Sequence, residues 1–220
     1  MNDKYTRSRL LFAENYEELT NKKVLICGLG GVGGMCFSSL ARVGINVSGI
    51  DKDYFDITNC NRQLHSENTG LSKASVFAKF YNANCYELLI TKESFLEFLK
   101  DKEFDLVIDC IDDVKAKCDL AEICYEKGIA FISSGGAAKR IDPTKIKIAN
   151  WDKTKMCALA KAVRLELKKR KFKGKFKMTY SEEEPMCQGL GSFMGMTGSM
   201  GLMLSSLAIQ KLQNISFNKK

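Results

Sequence analysis

The chain has 220 residues, of which 45% are hydrophobic and 27% charged, and its formal net charge at pH 7 is +8. This length and composition are those of one ordinary globular domain, which excludes a disordered or low-complexity protein. The basic excess indicates an anionic partner. Because no apolar segment lies near the N-terminus, a secretory signal is not predicted.

Nine cysteines are scattered along the chain, and no two of them have Cys-x-x-Cys spacing. This usage favours reduced thiols in the cytosol and predicts neither a zinc ribbon nor a thioredoxin motif. We therefore expect a cytoplasmic protein that binds no zinc.

An N-terminal arm over residues 1–21 precedes a strand, a glycine turn and a helix. Residues 24–27 are apolar, as in a strand buried on both faces of a parallel sheet. Gly28, Gly30 and Gly33 fit the Gly-x-Gly-x-x-Gly pattern, in which glycines permit the turn, the approach of a phosphate and helix packing. The next apolar run ends at Asp51, where an acid can bind ribose hydroxyls. The pattern predicts a nucleotide site without saying which adenine nucleotide binds.

The elements that follow alternate between helix and strand. A polar loop over 53–72 comes first. It is followed by a helix over 73–84, a strand over 86–91, a short helix over 94–100, a strand over 104–111, a helix over 115–127 and a strand over 129–133. This alternation predicts an α/β fold, a doubly wound and mostly parallel Rossmann-like sheet with its sites at the carboxyl ends of the strands.

After residue 141 the character of the sequence changes. Residues 145–150 and 176–180 alternate like the strands of a C-terminal antiparallel extension, and a basic helix is predicted over 159–171. Residues 186–210 carry no charge, but their many Gly and Ser residues favour a buried helix over a stable transmembrane one. Association with the periphery of a membrane is left open.

We expect a single ATP-binding adenylating domain over residues 1–220. Its parts would be the arm (1–21), the nucleotide-binding core (22–140) and a C-terminal part (141–220) with the basic helix, the antiparallel strands and the apolar helix.

Charged residues at the predicted carboxyl edge favour one nucleotide over another. Arg62 and Lys73 can offset the charge of a triphosphate, and Asp112 can hold Mg²⁺, whereas a nicotinamide enzyme has no obvious use for them. The alternative is that Arg62 and Lys73 are merely solvated surface groups.

The spaced set of these residues resembles the ATP-binding motifs of ubiquitin-activating-like enzymes, the ThiF/MoeB/HesA group. The set consists of Gly28, Gly30, Gly31, Gly33, Asp51, Asp53, Asn59, Asn61, Arg62, Gln63, Lys73, Asp109 and Asp112. The resemblance implies that Mg-ATP adenylates a carboxylate, usually in a homodimer.

The resemblance also implies a role for each residue. The glycines would bind phosphate, Asp51 the ribose, Asn59 with Arg62 and Lys73 the triphosphate, and Asp112 the Mg²⁺. Asp53 is a further candidate for binding the nucleotide. Arg7 would reach across the dimer to the partner's ATP. The candidate catalytic residues are thus Arg62, Lys73, Asp112 and Arg7.

Within the group, one branch is especially similar, the tRNA threonylcarbamoyladenosine dehydratases. The similarity lies in residues 133–138, in Asp142, Pro143 and Thr144, and in Tyr180 to Pro185. It implies ATP-dependent cyclisation of the threonylcarbamoyl group on the adenosine next to the anticodon, through an acyl-adenylate. Its implied partners are tRNA and a second copy of the chain, with a sulfur-relay protein as a further candidate.

Tethered cyclisation needs no enzyme thiol, because the attacking group belongs to the same substrate. We therefore expect Cys157 and Cys187 to be structural or incidental, and His65 to pack its loop. The loop after Pro185 is shorter than in larger members of the branch, which leaves that loop's role open.

Two other functions remain as alternatives. One is an adenylyltransferase that activates the C-terminus of a ubiquitin-like sulfur carrier, and the other is a catalytically inactive nucleotide-binding adaptor.

The basic helix also has two interpretations. Lys161, Arg164, Lys168 and Lys171 are spaced three or four apart, so on a helix they form one face that could contact tRNA phosphates. Such a charge run can equally be a solvated face.

Overall fold

Seven strands form one sheet in the computed structural model, which describes residues 2–213. Numbered in chain order, they are β1 (Lys23–Cys27), β2 (Asn46–Ile50), β3 (Cys85–Tyr86), β4 (Leu106–Asp109), β5 (Ala130–Ser134), β6 (Ile146–Asn150) and β7 (Lys177–Ser181). Their order across the sheet is β3-β2-β1-β4-β5-β7-β6, and only the β6–β7 pair is antiparallel. Met1 and residues 214–220, which the predicted domain includes, lie outside the described residues.

The described part of the chain contains eight α-helices. They are α1 (Thr6–Phe12), α2 (Tyr16–Asn21), α3 (Gly31–Val43), α4 (Lys73–Tyr81), α5 (Lys92–Phe98), α6 (Val114–Glu126), α7 (Ala158–Lys169) and α8 (Met194–Leu212).

The central strands are apolar because helices cover both of their faces. Val24 to Cys27 of β1 are all fully buried. One apolar layer joins the sheet to α5, α6 and α7, and the other joins it to α3, α4 and α8. The predicted doubly wound, mostly parallel fold is confirmed.

The predicted strand over 86–91 is wrong for most of its length. Pairing with β2 stops after Tyr86, and residues 88–91 turn away to line a pocket. Residues 88–90 are apolar because they form part of the pocket wall, and not because they lie in a buried strand.

The predicted C-terminal antiparallel extension is confirmed in the strand pair β6–β7. β7 pairs in parallel with β5, so only β6, at the edge, runs antiparallel. The basic helix ends at Lys169, and Lys171 has a φ of 58°, outside any helix.

The uncharged segment packs against the core only from Met196 onward, in the helix that begins at Met194; before that, nearly all of residues 186–195 are exposed. α8 lies along α3 so closely that a Cβ on Gly201 would be 2.4 Å from the carbonyl oxygen of Val32. Within residues 2–213, no helix combines the length and apolarity needed to cross a membrane.

Candidate active site

A pocket of about 870 Å³ opens at the carboxyl ends of β1, β2, β4 and β5. This is the edge at which doubly wound sheets bind their ligands. The predicted nucleotide and metal residues that line it are Gly28, Gly30, Gly31, Asp51, Asp53, Asn59, Arg62, Lys73 and Asp112. Gln63 lines it as well, whereas Gly33, Asn61, Asp109 and Arg7 do not.

The glycine turn after β1 forms the floor of this pocket. Gly28 has a φ of 93°, which favours glycine, and its N–H donates to Ile50 O at 2.7 Å. A Cβ on Gly33 would lie 1.8 Å from Gly28 O, so Gly33 allows α3 to pack on the turn. The N-terminus of α3 faces the pocket, where unpaired backbone N–H groups favour an anion.

Asp51 is buried at the end of β2, and backbone groups hold both of its oxygens. Leu29 N–H donates to Oδ2 at 2.6 Å and Asp53 N–H donates to Oδ1 at 2.8 Å. Burial raises the pKa of Asp51, although the nearby Lys73 ammonium and the two N–H donors oppose the shift. The carboxylate is therefore fixed in orientation before any ribose binds.

Asp53 connects two lysines at the pocket wall. Its Oδ1 lies 2.6 Å from Lys52 Nζ, and its Oδ2 lies 3.5 Å from Lys73 Nζ. Burial alone would raise the pKa of Asp53, but the two lysines together hold it below its usual value. Lys73 itself is buried, so its ammonium is available to little besides Asp53 and the pocket.

The loop between β2 and α4 carries the third group of predicted residues. Arg62 NH1 donates to Thr58 O and to Asn61 Oδ1, both at 2.8 Å, and no carboxylate pairs with this guanidinium among residues 2–213. Asn61 Nδ2 donates to Ser192 O at 2.7 Å, which ties the loop to the segment before α8. Arg62 is thus held in place with its charge uncompensated.

Asp112 and Asp113 follow β4 and have different roles. Asp113 caps α6, since its Oδ1 accepts a hydrogen bond from Ala116 N–H at 2.7 Å. The carboxylate of Asp112 is exposed and has no hydrogen-bond or ion-pair partner within the described chain. Because Mg²⁺ commonly binds one or two carboxylates together with substrate phosphates, Asp112 fits a magnesium ligand.

A buried ion pair lies beneath the pocket, and no local sequence pattern predicts it. Lys117 Nζ lies 2.9 Å from Asp109 Oδ2 and donates to Ser134 O at 2.7 Å. Ser133 Oγ donates to the same Asp109 oxygen at 2.6 Å, and Ile111 N–H donates to Asp109 Oδ1 at 3.1 Å. This network ties the end of β4 to the end of β5. Only contacts between distant segments reveal it.

Arg140 is another buried cation beside the pocket, and no local sequence pattern predicts it. Its guanidinium donates to the carbonyl oxygens of Gly136, Ala138, Met156 and Glu183 at 2.8–3.2 Å. It thereby joins the pocket loop after β5 to the segments before α7 and after β7.

The cysteines and His65 have structural surroundings. Cys157 is buried, and its Sγ accepts hydrogen bonds from Gly136 N–H at 3.3 Å and from Ala160 N–H at 3.5 Å, which caps α7. Cys187 is exposed, and all nine cysteines are free. His65 packs among aromatic rings, with Nε2 3.0 Å from Tyr81 Oη, and burial lowers its pKa. In the part of the chain described, no three His, Cys, Asp or Glu side chains cluster in a way that could hold a metal ion.

The predicted basic face is only partly present. Lys161 and Lys168 are exposed on α7, but Arg164 NH1 donates to Thr154 O at 2.7 Å and to Thr154 Oγ1 at 2.8 Å. Arg164 therefore braces the loop before α7. Lys171 lies beyond the helix end, so the expected continuous helical face of four cations is wrong.

Arg7 is exposed on α1, far from the pocket in the same chain. Its neighbour Tyr5 packs near Gly44, at the end of α3 opposite the glycine turn. That placement excludes a role for Arg7 in the pocket of the same chain.

A protein-family model and two curated relatives point to the same family of proteins. The model of the ThiF family matches residues 4–220. A tRNA threonylcarbamoyladenosine dehydratase of Bacillus subtilis (strain 168) is 35% identical over 193 residues, which are 83% of this chain and 76% of that protein. The enzyme of the same name from Escherichia coli (strain K12) is 33% identical over 171 residues, 73% of this chain and 63% of that protein.

A solved structure also resembles this fold over nearly its whole length. The crystal structure of E. coli tRNA N6-threonylcarbamoyladenosine dehydratase in complex with ATP has a TM-score of 0.89 and 28% sequence identity. The likeness covers 99% of this chain and 96% of that one.

Proposed function

The chain belongs to the ThiF family, and we propose that it uses ATP to dehydrate and cyclise the threonylcarbamoyl group on the tRNA adenosine next to the anticodon. The similarity to dehydratases of that name supports this reaction. The observation that carries it is the convergence of Asp51, Arg62, Lys73 and Asp112 on one pocket at the carboxyl edge of the sheet.

The chemistry proceeds in two steps. One oxygen of the threonyl carboxylate attacks the α-phosphorus of ATP, which breaks the bond to pyrophosphate and forms an acyl-adenylate. A neighbouring group of the same threonylcarbamoyl substituent then attacks the acyl carbon, and AMP leaves with that oxygen. The net result is loss of one water from the substrate, and tethering supplies a high effective concentration of the attacking group.

The pocket residues stabilise charge during the first step. Arg62, held by Thr58 and Asn61, and Lys73, held by Asp53, present fixed cations to the phosphates. Asp51 and Asp53 lie where ribose hydroxyls would bind, and Asn59 lines the same wall. Mg²⁺ would be held by Asp112 and would supply further charge neutralisation at the phosphates.

A homodimer with shared sites is part of this proposal. Arg7 cannot reach the pocket of its own chain. The resemblance to the ThiF group implies instead that it contacts the ATP bound by the partner subunit. A sulfur-relay partner, a cytoplasmic location and an association with the periphery of a membrane remain predictions that follow only from the proposed tRNA substrate and the resemblance.

The tRNA backbone is proposed to lie along α7 and the loop after it. Lys161, Lys168, Lys169, Lys171, Lys173 and Lys175 are all exposed, and none is paired with a carboxylate among the described residues. Arg170 neutralises the nearby acids, since it pairs with Asp119, Glu122 and Glu166 at 2.6–2.9 Å. The surface is therefore left with uncompensated positive charge.

The position of this surface suits a long substrate. Leu159, at the start of α7, lines the pocket, and twelve helical residues extend about 18 Å. Phosphates of the anticodon stem could follow the lysines while the modified adenosine enters the pocket. Such contacts position a nucleic acid without reading its sequence.

Pyrophosphate exchange into ATP tests the proposed activation step. Exchange should require tRNA that carries the threonylcarbamoyl group and should be absent with unmodified tRNA. Exchange that depends on a small carrier protein ending in Gly-Gly, and not on tRNA, would favour the sulfur-carrier adenylyltransferase instead.

A further inference from the structure

Arg140 is a buried cation that lacks a carboxylate partner within residues 2–213. Only 6% of it is exposed, and its side chain donates solely to backbone carbonyl groups. The nearby carboxylate of Glu183 is occupied elsewhere, because it accepts hydrogen bonds from the N–H groups of Ile141 and Asp142. The charge of Arg140 therefore acts on the peptide groups of the loop after β5.

Two of those peptide groups are oriented by Arg140. Gly136 O and Ala138 O each lie 3.2 Å from its NH1. In a trans peptide the N–H points away from the C=O, so the N–H groups of Ala137 and Lys139 point away from Arg140.

The direction away from Arg140 leads to the pocket. Lys139 N–H donates to Gly191 O at 2.7 Å, and the residues on either side of Gly191, Leu190 and Ser192, line the pocket wall. Gly136, Ala137 and Ala138 also line the pocket, whereas Arg140 does not. The Ala137 N–H therefore points toward the same space.

The N–H of Ala137 is an unpaired buried donor. Ala137 is only 6% exposed, and no acceptor for its N–H is found in the described chain. A buried N–H without a partner is costly, so an orphaned one in a pocket indicates a ligand acceptor. The two preceding donors are already used, since Gly135 N–H donates to Thr179 O and Gly136 N–H donates to Cys157 Sγ. Ala138 N–H also has no acceptor in the described chain, but Ala138 is less buried than Ala137.

We propose that the Ala137 N–H, polarised by Arg140 behind it, binds the carboxylate of the substrate group that is adenylated. This inference rests on the proposed function and adds the acyl subsite to it. Arg140 is a positioning residue, since it acts through the two peptide groups that it orients.

The subsite serves both steps of the reaction. The carboxylate oxygen that does not attack phosphorus accepts from the Ala137 N–H and becomes the acyl carbonyl oxygen. When the neighbouring group attacks and gives up its proton, that oxygen takes the negative charge; its electron pair then re-forms the C=O bond as AMP leaves with the electrons of the broken C–O bond. Preorganised backbone donors of this kind stabilise such oxyanions.

The test compares Ala137→Pro, which lacks the N–H, with Ala137→Gly, which keeps it. Binding of tRNA with and without the threonylcarbamoyl group is measured in the presence of an ATP analogue with a non-cleavable α,β-bond. Wild type and Ala137→Gly should prefer the modified tRNA by at least about tenfold, whereas Ala137→Pro should bind both equally. Turnover of Ala137→Pro should fall about 10²- to 10³-fold with ATP affinity unchanged.

If Ala137→Pro does not fold, lactic acid incorporated in place of Ala137 replaces the N–H with an ester oxygen and should give the same loss of preference. The ester also makes Gly136 O a weaker acceptor for Arg140. Arg140→Met should also lose the preference at unchanged ATP affinity, and Arg140→Lys should recover part of it.

The outcomes separate the subsite from the proposed function. A variant without the Ala137 N–H that keeps the wild-type preference overturns the subsite only. A wild-type protein that shows no preference for threonylcarbamoylated tRNA overturns the proposed function as well.

Discussion

Asp112 is the pocket carboxylate that the fold itself does not use, because it is exposed and has no protein partner in the described chain. Replacing it with alanine should therefore abolish turnover while leaving stability almost unchanged. Measured together, pyrophosphate exchange and thermal unfolding check this. Asp113→Ala is the matched control: it removes the cap of α6 and should cost about 0.5–2 kcal/mol of stability. A folded Asp112→Ala protein with wild-type exchange would contradict the assignment.

Lys117 gives the opposite expectation. It and Asp109 are almost completely buried, so Lys117→Met leaves an unpaired carboxylate in the core. Losing one partner of such a pair costs about 3–5 kcal/mol, to be measured by urea unfolding. Adding Asp109→Asn should restore part of the loss, since no buried charge would then be unpaired. Equal stability of the single and double variants would refute this explanation.

The nucleotide residues could be predicted from the sequence, and their supporting residues could not. Asp51 follows a strand, and Arg62 and Lys73 follow it at family spacing, so local order along the chain locates them. Lys117 and Arg140 depend on side chains and carbonyls from other strands and loops. No local pattern distinguishes either residue from a solvated cation.

Secondary structure could be predicted wherever burial and sequence period coincide. The runs at β1, β2 and β4 are apolar because both faces are covered, and they are indeed strands. Residues 88–91 are equally apolar but line the pocket, so composition misleads there. The end of α7 was missed because Lys171 adopts a left-handed conformation that no local residue signals.

The segment formed by α7 and its following loop should bind tRNA phosphates through the lysines that remain free. Lys168→Ala combined with Lys171→Ala should weaken tRNA binding and leave Mg-ATP affinity unchanged. Each lost phosphate contact should reduce the slope of log affinity against log salt by about 0.7–0.9. A salt titration measures this.

A control with the same charge loss is available on the other side of the molecule. Lys79→Ala combined with Lys211→Ala removes two exposed lysines from α4 and α8. If both double variants reduce the slope equally, only net charge matters and the docking surface lies elsewhere.

At the scale of the whole molecule, the strand–helix alternation was sufficient to predict the parallel sheet and the edge that holds the site. It could not predict that β7 lies between β5 and β6. The alternating pattern of β7 is the same whether β7 or β6 pairs with β5. Assembly is likewise invisible to local pattern, and Arg7 is the residue through which it can be tested.

A homodimer with composite sites predicts complementation. Arg7→Ala and Arg62→Ala proteins should each be nearly inactive, whereas a mixed dimer has one site with both arginines intact. Mixing them should therefore restore up to about a quarter to a half of wild-type activity, depending on the extent of subunit exchange. Proven exchange without any recovery would show that Arg7 does not act in the partner's site.

The most direct test of the central claim is the mass of the modified nucleoside after the purified protein has acted. The substrate is tRNA from a strain that lacks this gene, incubated with ATP and Mg²⁺. We expect threonylcarbamoyladenosine to be replaced by a nucleoside lighter by one water, with one AMP formed per conversion, and no conversion when ATP is omitted. An unchanged nucleoside mass with folded, ATP-binding protein would contradict it.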